Sequence, residues 1–500
     1  MMKELNLYPL AGLFMELQKA TLHRTSRKKP MVLFLVYLLA SGVFTVNYNP
    51  KETIAFCKNI DNAQIIEQDG NDFGLTSDEI CNIVHELIPI IEELAGKKFN
   101  TLPKLEFATR NKIENALAYE LMLQFKNLME YEKKQIILKK AQSKAKKVIE
   151  LILAKYGFID KTIYLSHENI NAFAKKKQFE KIIIKTAVTL LIAHEMAHAL
   201  QDQHANIANR FKTISSFEQL DALEATFEGH AIFIQDQIEN HLFNSQRQLL
   251  NKGTGNENPV TDSHKSIEEI HVLDIYTNGK KFIEYWFNKG GNQKIWEVLL
   301  NPPTRTSIIL NPETYTQKRM KELDYISLLK GLEHFFGPGS YTTENTDIPV
   351  LKFSSILSVL NSKNKEFINK ITHFQLLRIF KKSTLYGTVS FFEITDKTCG
   401  DQLKLFLEKN VGNNLQKLNR TQDFAIQKFP KKTIDKNETI PSKTIVTVKN
   451  KRGKPQRIAF VLLAENQVVL EINDEFGKLT NKEFDGIIKA VSERYYKMKS

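Results

Sequence analysis

The stretch TLLIAHEMAHALQDQH, residues 189–204, constrains this chain more than any other. From Ile182 to Leu200 the sequence is apolar on every face of a helix, and such a helix has to be buried in a core. Yet the run carries His194, Glu195 and His198, and it turns polar after Leu200. Buried ionisable groups are costly unless they are paired or bind a cation. Any fold for this chain must therefore wrap one long central helix and also satisfy three polar side chains within it.

His194 and His198 are four apart, so a helix stacks both imidazoles on one face. Neutral imidazole is a good Zn²⁺ ligand, and Glu195 lies beside the first histidine, where it can serve as general base without binding the metal. With 12 His in 500 residues, chance supplies about 0.3 HxxxH pairs and about 0.02 with Glu in second place. The half-motifs HELIP at His85 and HENIN at His167 lack the second histidine. The bland alternative is a pair of core histidines held by hydrogen bonds, which leaves a buried Glu195 unexplained. A catalytic zinc wants a third protein ligand, and Glu224 and Glu228 compete for it in LEATFEGHA, four apart on the next helix. The other could hydrogen-bond a ligand histidine. His230 and His204 face elsewhere on ideal helices, and a supporting or surface role is expected of them.

Length sets a prior of two or three domains. A hydrophobic content of 42% argues against wholesale disorder. The formal charge of +13 comes mostly from scattered Lys, with no Arg-rich block or zinc-finger spacing, so no nucleic-acid partner is expected. A basic stretch, HRTSRKKP (His23 to Pro30), leads into the sixteen apolar residues Met31 to Val46, with small residues at Ala40, Ser41 and Gly42. That reads as a secretory signal. As a helix it spans about 24 Å, short of the roughly 30 Å hydrocarbon core. Export is the expectation, with an N-terminal membrane anchor as the alternative use of the same segment. Cys57, Cys81 and Cys399 form no framework; the first two could pair after export, but all three read as ordinary core residues.

The chain divides into a signal region (1–47), a main domain (48–340) and a C-terminal region (350–500), with FFGPGSYTTENTDIP (Phe335 to Pro349) as linker. The fold class is α+β, predominantly helical. Helices are expected over 76–96, in two pieces over 110–157, over the motif from Ile182 to His204 and over 215–243, with a strand near Phe158 to Ile170. The C-terminal region reads as helices near 353–381, then strands in TLYGTVSFFEI, TIVTVKN and RIAFVLLAENQVVLEIND, and a closing helix.

HEMAHALQDQH followed by EGHA resembles a bacterial group of HExxH-plus-Glu (gluzincin-type) zinc metallopeptidases, whose pattern is HELxHALQDQ and then a helix ending in an EGDA-like sequence. YGFIDKTIYLS is similar to the strand that precedes their zinc helix. YTNGKKFIEYWFNKGGNQKIWEVLLNPPTRTSIILNPETY is similar to their Tyr/Gly turn, GG break and Pro-Pro segment ending in a HPEKY-like sequence. The likeness covers about 155–315. It implies a zincin-like domain in which His194, His198 and Glu228 bind zinc and Glu195 is the base. It favours Glu228 over Glu224. It also implies that the 162–166 strand is a sheet edge for substrate backbone and that Tyr276 or Tyr315 stabilises an oxyanion. Two departures stand out: His230 replaces the Asp of EGDA, and Asn311 the His of HPEKY.

The expected function is therefore an exported zinc metallopeptidase that hydrolyses peptide or protein substrates through a zinc-activated water. A non-catalytic zincin scaffold or an envelope-associated binding protein is the alternative. The sequence leaves oligomeric state open.

Overall fold

The computed structural model describes residues 75–128, 134–177, 181–242, 267–316, 342–347, 349–353, 368–381, 384–396, 398–407, 424–429, 432–435, 438–440, 443–449, 455–463, 468–474 and 479–499. The signal-like segment, Cys57 and most of the expected linker lie outside them. The architecture is α+β and mostly helical. The described residues fall into two compact units, one drawn from 29–263 and 272–304, the other from 264–271 and 305–500.

The first unit begins with α1 (Ser77–Ala95). Thr76 and Glu79 form a reciprocal capping box at its start, and Gly96, at φ 64°, ends it in the left-handed conformation. Next come β1 (Lys104–Ala108), α2 (Arg110–Leu128) and α3 (Lys134–Val148). A 3-10 turn (Ile149–Leu151) then leads into β2 (Ala154–Gly157) and β3 (Thr162–Ser166). After α4 (His167–Lys177), the motif helix α5 runs over Lys181–Ala205. Its Leu190, Ile192, Ala193, Ala197, Ala199 and Leu200 are wholly buried, as its uniform apolarity demands. It packs on α1, on β2 and on α7 (Phe217–Leu242), which follows the short α6 (Ile207–Phe211).

α8 spans Ile267–Leu300, and its break lies at Gly290 and Gly291, the latter at φ 60°. The GG break is therefore present. The expected Tyr/Gly turn is not: Tyr276 to Gly279 lie in the helix interior. Gly279 is there for contact rather than turning, since a Cβ on it would lie 2.0 Å from the Ala225 carbonyl oxygen of α7, and one on Gly229 would lie 2.2 Å from Gly279.

The three-stranded sheet has the order β1-β3-β2, with β1 parallel and β2 antiparallel to β3. The 162–166 strand is thus central, not an edge. All five of its residues are buried, which TIYLS matches with its near-continuous apolar run. The edge beside the motif helix is β2.

The second unit opens with α9 (Thr306–Leu310) and a 3-10 turn (Pro312–Thr316). Its strands are β4 (Thr342–Asp347), β5 (Ile371–Lys381), β6 (Thr384–Ile394), β7 (Phe424–Phe429), β8 (Lys432–Asp435), β9 (Glu438–Ile440), β10 (Lys443–Lys449), β11 (Pro455–Leu463) and β12 (Val468–Asp474). Seven make one antiparallel sheet, β4-β5-β6-β12-β11-β10-β7. Two readings need correction. Residues 342–347, assigned to the linker, are an edge strand, and 371–381, assigned to helix, pair along their length with β6. Local preference gave way there to a long cross-strand partner. The closing helix α10 (Asn481–Lys499) lays Phe484, Ile487, Ile488 and Val491 on the sheet face around Val389, Phe391, Val461 and Ile472.

Among the described residues no helix is long and apolar enough to cross a membrane. Cys399 is buried, as expected of a core residue. Cys81 differs from that expectation, being disulfide-bonded.

Candidate metal centre

His194 and His198 project from one face of α5 with ring centroids 4.7 Å apart and their Nε2 atoms 3.1 Å apart. Glu228 Oε2, from α7, closes the triangle at 3.2 Å from His194 Nε2 and 3.3 Å from His198 Nε2. Among the described residues this is the group of side chains whose ligand atoms converge closely enough to hold one metal ion. Glu224 is outside it. It lies one turn earlier on α7, and burial, reinforced by Asp221 and Glu228, raises its carboxyl to about 7. Glu195 is buried beside the cluster and not part of it, while its Oε2 accepts a 2.5 Å bond from the Tyr156 backbone N–H of β2.

The protonation of the cluster follows from its crowding. Burial opposes charge on His198, but Glu228 outweighs it, with help from Glu195 and Gln201, and lifts the imidazole to about 9. Burial would likewise raise Glu228, yet the two histidines hold it well below the usual carboxylate range. Three lone-pair donors at this spacing repel each other unless a cation or a proton sits among them. Two imidazoles and a carboxylate are also the donor chemistry of a three-ligand zinc site.

Why the motif helix turns polar after Leu200 is now visible, because each of the next four residues bolts α5 to a neighbour. Gln201 Oε1 accepts from His198 Nδ1 at 2.9 Å. Its Nε2 donates to the Phe227 carbonyl and to His230 Nδ1, both at 2.9 Å. Asp202 receives the Tyr156 hydroxyl, the Ala208 amide and the Lys161 ammonium. Gln203 bonds the backbone at Asn100 and Thr101, and His204 bonds the Lys98 carbonyl. The Gln201 bonds fix the His198 tautomer with Nδ1 protonated, so Nε2 is the atom presented to the cluster.

His230, at the position where the resembled pattern has Asp, is completely buried and works through Gln201. Burial, and then the proximity of His198, depress its imidazole to about 3, so it stays neutral and accepts the amide proton. Trp296 packs edge-on against it at 5.8 Å. Asn311 sits in the second unit, where its amide ties the Ser307 and Asn369 carbonyls. Sequence reading missed Gln201; the abrupt change to polar residues in a buried helix was the signal.

Tyr276, of the two tyrosines considered, is at the cluster. Its ring lies 6.3 Å from that of His194, and its hydroxyl hydrogen-bonds Glu228. Burial and then the Glu228 and Glu195 charges push it well above the ordinary tyrosine value, so it remains a proton donor. Tyr315 belongs to the 3-10 turn of the second unit. A further cation was not foreseen. Lys155, on β2, pairs with Glu120 at 2.6 Å, which more than offsets the burial that disfavours its charge; its field reaches Glu195 and Glu228. Glu120 also accepts the Phe158 amide at 2.8 Å, gripping the strand whose Tyr156 amide holds Glu195.

A Gln201→Leu variant removes the acceptor that orients His198, and zinc affinity is expected to fall on the order of 10–100-fold. Competition with a chelating dye measures this; unchanged affinity would show that packing alone orients the ring. No family model, curated protein or solved structure matches the chain.

Proposed function

We propose that this chain is an exported, zinc-dependent peptidase of the HExxH-plus-Glu kind, built on a zincin-like catalytic unit. The observation that carries the reading is the convergence of His194, His198 and Glu228 beside a carboxylate, Glu195, that stays out of the ligand group. A zinc ion held by those three residues would supply Lewis acidity towards a peptide carbonyl and would acidify a bound water.

The protein's own groups divide the remaining work. Glu195 takes the proton released as water attacks the carbonyl and returns it to the departing amine. The Tyr156 amide fixes one oxygen of that carboxylate and leaves the other for the proton. Tyr276, kept protonated, turns its hydroxyl from Glu228 to donate to the oxygen on which negative charge develops. The basic, apolar N-terminal segment supports export.

Metal analysis after zinc loading and dialysis is expected to give one zinc ion per chain, with His198→Ala and Glu228→Ala each retaining almost none. A peptide library read by mass spectrometry is expected to be cut by the loaded protein, not after chelation, and again on adding zinc. Zinc uptake without cleavage of any peptide would favour the scaffold reading, and no uptake would overturn both.

A further inference from the structure

We infer that the cavity beside the cluster is a subsite for one large apolar side chain of the substrate, next to the cleaved bond; this rests on the peptidase reading above. The cavity holds about 270 Å³ and shares its wall with His194, Glu195 and Tyr276, so its occupant lies against the reacting groups. That volume is at the small end of ligand pockets and suits one side chain rather than an extended ligand.

Its composition selects the occupant. Leu153 precedes β2, Leu191 lies one turn before His194 on α5, Ile232 one turn after Glu228 on α7, and Leu273 just before Tyr276 on α8. Four separate elements thus point aliphatic side chains into one space. Leu151 stands at the mouth, 48% exposed, a large apolar residue left in water beside an apolar cavity. The cation in the lining, Lys280, is already matched, with Asp236 in direct contact and Glu284 at 3.5 Å. An acidic side chain would have to compete with two carboxylates for that ammonium, and a basic one would meet it as a like charge. The carboxylate in the lining, Glu195, is already bonded to the Tyr156 amide and lies in the field of Lys155, so a charged occupant of either sign would be poorly compensated for its desolvation, whereas leucine or phenylalanine would simply leave water.

The test uses zinc-loaded Glu195→Gln protein and short peptide hydroxamates identical except for one side chain: methyl, isobutyl, benzyl, carboxymethyl or aminobutyl. Calorimetric titration is expected to rank isobutyl and benzyl about tenfold or more tighter than methyl, with both charged probes weakest. Filling the cavity by Ile232→Trp, or independently from α8 by Leu273→Trp, is expected to narrow that preference to about threefold or less at unchanged zinc content. Equal binding of methyl and isobutyl, preference for a charged probe, or a preference surviving both substitutions would overturn the subsite. Failure of the peptidase reading is seen separately, as absence of zinc before any probe is added, and removes the subsite with it.

Discussion

Glu195→Gln protein is expected to bind zinc as the wild type does and to hydrolyse peptides on the order of 10²–10⁴-fold more slowly. The metal prediction follows from geometry, because Glu195 contributes no atom to the convergent group and its carboxylate accepts from the Tyr156 amide. A glutamine carbonyl can keep that bond, so β2 and α5 should stay in place. Only the capacity to hold a proton goes. Single-turnover assays beside metal analysis check both halves. Loss of zinc with loss of activity would make Glu195 a structural carboxylate, and full activity would place the base elsewhere.

Gly279→Ala is expected to be the most damaging single-methyl change in the first unit. The added carbon would sit 2.0 Å from the Ala225 carbonyl oxygen, a rigid backbone atom of the facing helix, so relief requires α7 and α8 to separate. Overpacking of this kind costs about 1–3 kcal/mol or more. The displacement has a chemical consequence as well, because Glu228 immediately precedes Gly229 on α7 and Tyr276 lies one turn before Gly279 on α8. Separating the helices pulls the hydroxyl from the carboxylate. A lower melting temperature is expected together with zinc affinity weakened by about tenfold or more. If the variant melts and binds metal like the wild type, the close crossing does not set the site.

What could be read beforehand was whatever one helix decides by itself. The His194/His198 face, the exclusion of Glu195 from it and the burial of Thr186 to Leu200 follow from the pattern of one helix, whereas Ile182, expected inside with them, is 52% exposed at the helix start. Gly96 likewise marks the end of α1, and of Thr76 and Ser77 at its start it is Thr76 that caps, in a box with Glu79. What periodicity does not encode is which side chain a second element delivers. Glu224 and Glu228 share a face, and the Gly229–Gly279 crossing accompanies the latter's position at the cluster. The same limit explains the misplaced sheet edge: TIYLS is a strand on composition, but its central place depends on β1 and β2 flanking it. In the second unit, residues 371–381 carried apolar character compatible with either element, and pairing with β6 decided the matter.

The bonds made by Gln201 join His198 on α5 to the Phe227 carbonyl and His230 on α7 with every participant a protein atom. On the zinc-site reading proposed above, the His194, His198 and Glu228 triangle is consequently preformed, unlike small zinc modules that are unfolded until the ion arrives. On that reading, stripping the ion would be a reversible emptying of a rigid socket, with little chain entropy to recover on refilling. Uptake would then be limited by how fast the ion sheds its hydration shell and enters that socket.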